Sequence, residues 1–168
     1  VYVRWTNAWY DPATEGENAQ TLIDDEDVDV MAQHQDSPSA LETAADNDIW
    51  ASGYAESAAD FAGDNYLMTP VFNWEQAYIP IIEDAQAGEW EAGYTFPGIA
   101  DGAVEVSEPG PEVPQEVIDE VTSIQEEMTG GDADDVVWSG TPYEDWTEEE
   151  ILFESDTLGV DNIEGQEL

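Results

Sequence analysis

The chain has 168 residues, in which 42 Asp plus Glu stand against one Arg, no Lys and one His, so the formal net charge is −41 at pH 7. Because nucleic-acid binding needs Lys and Arg to displace counterions from phosphates, this charge excludes nucleic acid as a direct partner. The absence of cysteine excludes disulfides, thiolate metal ligands and cysteine nucleophiles.

Four short stretches rich in β-branched and aromatic residues alternate with helical patterns in the first half of the chain. These predicted strands are residues 1–5, 28–32, 49–52 and 66–71. Asp11-Pro12 is a start signal for a helix between the first and second predicted strands. Ser37-Pro38 is a start signal for a helix between the second and third. A repeated order of strand and helix predicts an α/β fold, in which helices flank a parallel sheet.

Two longer helices and a connector are predicted in the second half. Residues 75–88 place alanine, tyrosine and isoleucine on one helical face. Residues 93–114 are rich in proline and glycine and contain a short strand at 103–106. The clearest helical pattern covers 115–129, and 136–138 is predicted as a further strand.

The excess of negative charge indicates an environment rather than a partner. An apolar fraction of 41%, with 7 Trp, 7 Tyr and 4 Phe, is enough to bury the core of one ordinary domain. Charge repulsion opposes compaction, and salt relieves it because the Debye length falls from ~8 Å at physiological ionic strength to ~3 Å in molar salt. The composition therefore resembles that of proteins from extreme halophiles.

Catalytic and metal-binding motifs are absent from the sequence. Carboxylates are so numerous that pairs at catalytic spacing are expected by chance. The segment from Asp25 to Asp36 begins like a calcium loop, but Val30 stands where that loop requires glycine. Neither a glycine-rich phosphate loop nor a nucleophile elbow occurs. The sequence therefore predicts no catalytic residue, metal site or cofactor.

Aromatic and polar residues gather directly after the predicted strands. In an open parallel sheet the ligand crevice lies beyond the carboxyl ends of the strands. The residues there are Trp9 and Asp11, His34 and Gln35, Tyr54, and Asn73 and Trp74. Flat ring faces and directional hydrogen-bonding groups suit a planar heterocycle with polar edges. The alternative is that Trp9 and Trp74 only pack the end of the sheet.

Seven stretches of the chain, in register, resemble the BMP family of solute-binding proteins, which are the basic membrane lipoprotein or PnrA-like receptors of ABC importers. Four stretches lie at strand ends: NAWYDP at 7–12, DVMAQHQD at 29–36, IWASGY at 49–54 and LMTPVFNW at 67–74. The others are GEW at 88–90, DGAV at 101–104 and VPQEV at 113–117. The resemblance spans most of the chain.

The resemblance implies a two-lobe fold of the type I periplasmic-binding-protein kind, of which this chain is similar to the second lobe. Residues 1–68 are then expected to form the second-lobe α/β core. Residues 69–95 would be a hinge crossing with a partial first-lobe helix, and 96–168 the return crossing, long helix and C-terminal tail. A first lobe, a signal and a lipid anchor that attaches the protein outside the cytoplasm are expected before residue 1.

The resemblance also implies a ligand class and a set of contacts. The family includes purine nucleoside receptors and relatives that take a free purine base. Trp9 falls where the family places a ring that stacks on the base. His34 and Gln35 fall in a loop that lines the cleft, and Tyr54 and Trp74 would close its sides.

Two departures from the family pattern favour a free base or another planar solute over a nucleoside. The aspartate that nucleoside-binding members use for the ribose hydroxyls corresponds to Ala55. Glu56 follows it and is expected to substitute only if the turn is rearranged. The lysine that those members carry after the fourth strand corresponds to Asn73.

The function implied is that of a receptor which closes around a solute without breaking a bond and is recognised by the membrane subunits of an importer. Two other interpretations stay open. One is an acidic halophilic interaction module without a small-molecule ligand. The other is a doubly wound α/β enzyme, although residues 7–11 lack the glycine expected of a phosphate-binding turn.

Overall fold

The computed structural model describes residues 1–95, 97–132, 136–137 and 139–140. Helices and short strands follow one another along this part of the chain. They are α1 Pro12–Glu26, β1 Val30–Ala32, α2 Ser39–Asp46, β2 Trp50–Ser52, α3 Ala59–Ala62, β3 Pro70–Phe72, α4 Trp74–Ala87, β4 Val104–Val106 and α5 Gln115–Glu127. A 3-10 turn at Gly63–Asn65 continues α3, and a π turn at Met128–Asp132 continues α5. No helix in the described part is both long and apolar enough to span a bilayer.

The centre of the fold is a parallel pair of strands. β1 and β2 pair in parallel, with Val30 aligned with Trp50. A parallel bridge between Ala51 and Tyr66 adds the segment that leads into β3, and the Leu67 N–H donates to the Ala51 carbonyl at 2.9 Å. The predicted fold class, an α/β fold with a parallel sheet flanked by helices, is confirmed.

Strand β3 has a parallel neighbour on one side and an antiparallel neighbour on the other. A parallel bridge joins Val71 of β3 to Ala55, three residues beyond β2. On its other side β3 pairs with β4 in antiparallel fashion, with Val71 opposite Glu105. The predicted strand at 103–106 is therefore present, and its antiparallel direction is a finding that the strand–helix repeat did not predict.

Two predicted strands are wrong. Within residues 1–5 only Tyr2 is assigned a β-bridge, and Val1 and Trp5 are 89% and 58% exposed. None of residues 1–5 is buried. Val136 and Val137 are helical, and the third residue of that predicted strand, Trp138, lies outside the described residues.

Helix α1 begins where the sequence predicts. The Asp11 carboxylate accepts a hydrogen bond from the Thr14 N–H, and Pro12 occupies the first helical position. Ala19 is buried, and Leu22 and Ile23 pack against the core. Helix α1 thus brings its N-terminus to the carboxyl end of β1.

The core lies between α1, α2 and the parallel strands. Leu41, Ala44, Ala51 and Tyr66 are at most 1% exposed. The Tyr66 hydroxyl, the polar end of the largest of these side chains, lies 2.5 Å from Ser107 Oγ and is satisfied by a hydrogen bond. Alanine at Ala44 and Ala51 lets α2 pack close to β2, which fixes where the strand ends lie.

Helices α4 and α5 confirm two predicted helices but lie outside this core. Gly88 ends α4 in the left-handed conformation with φ 75°. Neither helix contains a buried residue, and Tyr78 and Ile82 of α4 are 56% and 52% exposed. The proposed division at 1–68, 69–95 and 96–168 stays a prediction, as does the C-terminal tail, most of which lies outside the described residues.

Candidate functional site

Six aromatic rings form a continuous row along the carboxyl ends of the strands. In order along the row they are Trp9, His34, Tyr54, Phe72, Trp74 and Tyr78. Trp9 precedes α1, and His34 and Tyr54 follow β1 and β2. Phe72 ends β3, and Trp74 and Tyr78 belong to α4. We call these six side chains the rim. Because neighbouring rings are 4.0 to 5.8 Å apart between centroids, the rim is one connected surface.

The imidazole of His34 lies between the rings of Trp9 and Tyr54 in the rim. It lies 4.0 Å from the Tyr54 ring at an interplanar angle of 38°, and 5.7 Å from Trp9 in an edge-on arrangement. Phe72 meets Tyr54 edge-on at 5.8 Å. Edge-on and tilted contacts are the favoured geometries for aromatic pairs, so the rings support one another's orientation.

The far end of the rim is built on α4. Trp74 lies 5.4 Å from Phe72 and stacks on Tyr78 at 5.6 Å with an interplanar angle of 14°. Residues four apart on a helix project from the same face, which is why Trp74 and Tyr78 meet. Both rings are 56% exposed, so they offer apolar surface to a ligand or a partner.

Two adjacent clefts open beside the rim. The Tyr54 cleft, of about 520 Å³, is lined by Gln33, Gln35, Asp36, Tyr54, Glu56, Phe72 and Trp74 among others. The Trp9 cleft, of about 690 Å³, is lined by Arg4, Trp9, Gln33, His34 and Gln35 among others. Because Gln33 and Gln35 line both, these two side chains lie at the boundary between the clefts.

The clefts bring together most of the predicted site residues. Trp9 and His34 line the Trp9 cleft, and Tyr54, Glu56 and Trp74 line the Tyr54 cleft. The sequence predicted one cavity wall, whereas the structure divides the same residues between two clefts.

Asp11 and Asn73 lie at the same sheet edge but line neither cleft. Both carboxylate oxygens of Asp11 accept hydrogen bonds from Thr14, one from the hydroxyl at 2.8 Å and one from the backbone N–H at 3.2 Å. These bonds, the hydroxyl bond first, lower the pKa of Asp11 below its ordinary value of 3.8. The Asn73 side-chain amide donates to Glu105 Oε1 at 3.2 Å. Contact of either side chain with a ligand stays a prediction.

A buried carboxylate fixes the loop after β1. Glu15 and Ser37 are each 2% exposed, and the Ser37 hydroxyl donates a short hydrogen bond to Glu15 Oε2. The other oxygen of Glu15 accepts from the Asp11 N–H at 2.8 Å. This network ties α1 to the loop that carries Gln33 and His34, and so sets the position of the rim.

A tight turn directs Tyr54 and Glu56 toward the Tyr54 cleft. Ala55 has φ 65°, and the Glu56 N–H donates to the Tyr54 carbonyl at 2.8 Å, which closes a γ-turn. The Phe72 N–H donates to the Ala55 carbonyl at 2.9 Å. A non-glycine residue at positive φ is strained, and strained turns of this kind cluster at ligand sites.

Sequence reasoning did not select Gln33, Phe72 or Tyr78. The signal for Tyr78 was present, because it lies four residues after Trp74 on a predicted helix. Phe72 directly precedes the selected Asn73-Trp74 pair. Gln33 had no sequence signal that separated it from the other polar residues after β1.

The charges around the clefts disfavour an anionic ligand. Asp36 and Glu56 line the Tyr54 cleft, and none of its described lining residues is basic. Arg4, the single basic residue of the chain apart from its one histidine, lines the Trp9 cleft. Within the described part, no group of three or more His, Cys, Asp or Glu residues is placed to hold a metal ion. The Tyr54 cleft therefore disfavours a negatively charged solute, and the rim beside it offers a flat apolar surface.

Comparison with known proteins shows the family to which the chain is similar. The family model described as ABC transporter substrate-binding protein PnrA-like matches residues 1–130. A Haloferax volcanii protein named "Putative ABC transporter glucose-binding protein TsgA13" is 41% identical over 98% of the chain, which spans 41% of that relative. A purine-binding protein of Brucella abortus is 36% identical over 64% of the chain, which spans 30% of that relative. The chain thus spans less than half the length of these relatives.

Two solved structures share the fold. A crystal structure from Bacillus halodurans, described as a transcriptional activator of the comK gene, has a TM-score of 0.68 and 26% identity, covering 83% of this chain and 47% of that one. An ABC transporter solute-binding protein from Conexibacter woesei has a TM-score of 0.60 and 17% identity, covering 77% and 44%. The second likeness concerns the fold alone.

Proposed function

The chain belongs to the PnrA-like family of ABC transporter substrate-binding proteins, and from that premise we propose that it supplies the solute-contacting wall of a receptor for an ABC importer. The observation that carries the proposal is the rim, whose six rings stand side by side along the strand ends. In a parallel α/β fold this edge is where ligands bind.

The solute we propose is a purine base or a similar planar molecule. Exposed ring faces at Trp9 and Trp74 offer stacking surfaces, and the amides of Gln33 and Gln35 offer directional hydrogen bonds. The name of the Brucella relative, a purine-binding protein, supports the same class. Ala55 has no carboxylate for ribose hydroxyls, which favours a free base over a nucleoside.

A second candidate solute is glucose or a related sugar. The Haloferax relative, which matches nearly the whole chain, carries a glucose-binding name. Aromatic rings also stack on the apolar face of a pyranose, and Asp36 and Glu56 could accept hydrogen bonds from its hydroxyls. The rings of the rim can stack on a purine or on a sugar, so a binding titration must distinguish the two candidate solutes.

The proposed mechanism involves no covalent chemistry. Solute held between two lobes favours the closed state by its differential affinity, and the closed form is what the membrane subunits of the importer recognise. We propose that the protein acts outside the cytoplasm, attached to the cell membrane, in a halophilic organism. The interaction-module and enzyme interpretations are the weaker ones, because the rim borders defined clefts and the matched family consists of receptors.

The test is a titration of the full-length natural protein in molar KCl, followed by tryptophan fluorescence and calorimetry. The panel is adenine, guanine, adenosine, guanosine and glucose. We expect a free purine base to bind with micromolar or better affinity, on the order of −8 kcal/mol. Binding of glucose alone would overturn the purine assignment, and binding of none of the five would overturn both candidate solutes.

A further inference from the structure

Gln33 and Gln35 have an unusual environment at the boundary between the two clefts. The side-chain carbonyl oxygen of each is shielded from solvent and accepts no hydrogen bond in the described part of the structure. Buried polar groups are normally paired, so two unpaired acceptors beside a candidate ligand site call for an explanation.

The amide orientation of Gln33 is determined by its neighbours. Gln33 Nε2 lies 2.9 Å from the backbone carbonyl oxygen of Ser37 and 3.5 Å from the backbone carbonyl oxygen of Gln35. Both neighbours are acceptors only, so a donor must face them. Turning the amide over would place oxygen against oxygen, so Oε1 is the atom of the Gln33 amide that faces away from these carbonyls.

The side-chain amide of Gln35 is hydrogen-bonded through its nitrogen to the Thr6 hydroxyl. The Thr6 hydroxyl donates its proton to the Ala8 carbonyl at 2.8 Å. With its proton on that bond, the hydroxyl accepts from Gln35, whose Nε2 lies 3.0 Å from Thr6 Oγ1. In this arrangement Gln35 Oε1 has no donor among the described residues.

We propose that Gln33 and Gln35 determine solute specificity by accepting hydrogen bonds from N–H groups on the edge of a flat solute. The proposal rests on the proposed function and deepens it. The two oxygens lack donors among the described residues, and a solute that brings N–H groups pairs these buried acceptors. Since neither oxygen is exposed, the proposal requires that a neighbouring side chain move for a donor to reach them.

The ligand class that follows is an amino-substituted ring such as an aminopurine. The rim rings stack on any flat molecule, so they give affinity without strong selectivity. A ring whose edge lacks N–H groups leaves the two acceptors unpaired, and sites built to hydrogen-bond a polar group reject analogues that lack it. The glutamines, rather than the rings, thus select among planar solutes.

The test compares adenine with N6,N6-dimethyladenine, which keeps the ring system and loses the exocyclic N–H donors. Calorimetry in molar KCl is performed on the full-length natural protein and on the double variant Gln33→Met, Gln35→Met. Wild type is expected to prefer adenine by roughly tenfold or more. The double variant is expected to lose most of that preference and to bind dimethyladenine about as well as wild type, because the rim is intact. Gln115→Met, on exposed helix α5, is the matched control and is expected to keep the wild-type preference.

The outcomes separate this inference from the proposed function. If wild type binds both purines equally, the acceptor role is wrong and the receptor proposal survives. If the double variant keeps the preference for adenine, the acceptors lie elsewhere and the inference is also wrong. If neither purine binds to wild type, the purine assignment falls and the inference falls with it. Should the double variant fail to fold, the wild-type comparison and Gln35→Met alone decide the question.

Discussion

Replacement of Gly53 by alanine is expected to destabilise the protein and to disturb the Tyr54 cleft. Gly53 is buried between β2 and Tyr54. A β-carbon at this position would lie 2.7 Å from Ala58 Cβ and 3.2 Å from Thr69 Oγ1. Carbon atoms in contact need about 3.5–4.0 Å, so roughly 1 Å of movement is required.

The backbone must supply that movement. Ala58 Cβ has no rotamer that moves it aside, and Ala58 is the N-cap of α3, which borders the Tyr54 cleft. Gly53 cannot retreat freely, because its N–H donates to Thr69 Oγ1 at 3.0 Å. Overpacking of this kind costs about 1–3 kcal/mol.

Thermal unfolding followed by circular dichroism in molar KCl measures the effect. For a chain of this size, each kcal/mol corresponds to about 2–4 °C, so the Tm of Gly53→Ala is expected to fall by roughly 2–12 °C. The matched control is Gly93→Ala, where no atom lies within 4 Å of the added carbon and the backbone is not left-handed. Equal Tm values for the two variants would refute the close packing beneath Tyr54.

Three further predictions concern the cap, the rim and the charge. Asp11→Ala is expected to lower the Tm at neutral pH. Because the pKa of Asp11 is lowered in the folded state, the difference in Tm between wild type and Asp11→Ala should shrink as pH falls from above 3.8 through the folded pKa. A difference in Tm that is constant with pH would refute the carboxylate's role. Tyr54→Leu is expected to change the near-ultraviolet circular dichroism, since it removes ring contacts to His34 and Phe72, and Tyr54→Phe should preserve most of the signal. The folded fraction is expected to rise from low salt to molar KCl because of the −41 net charge, and an unchanged spectrum across that titration would contradict the halophile interpretation.

Much of the location of the rim could be predicted from the sequence because it follows from one property of parallel sheets. His34, Tyr54 and Trp74 are far apart in the chain, yet each follows a strand, whereas Trp9 lies just before α1 and follows none. Parallel strands bring their carboxyl ends to one edge, which is why the sequence predicted that the three post-strand rings meet. The start of α1 was equally predictable, because Asp11 and Pro12 act within one helical turn.

What the sequence left open depends on contacts between distant residues. The antiparallel pairing of β3 with β4 brings Val71 to Glu105 across helix α4 and the proline- and glycine-rich connector that follows it. The division into two clefts depends on the side-chain orientations of Gln33 and Gln35, which the Ser37 carbonyl and Thr6 hydroxyl determine. Such orientations have no signature in residue order.

The most direct test of the proposed base-stacking wall is the affinity of the Trp9→Ala variant for adenine, measured by calorimetry on the full-length natural protein in molar KCl. Trp9 is 65% exposed and contacts His34, so the fold is expected to tolerate the change. Loss of a base-stacking ring costs about 1–3 kcal/mol, which predicts roughly 5- to 150-fold weaker binding. Trp90→Ala, at a tryptophan that is 53% exposed and lines neither cleft, is expected to bind as wild type does. An unchanged dissociation constant for Trp9→Ala would contradict the stacking role of the rim.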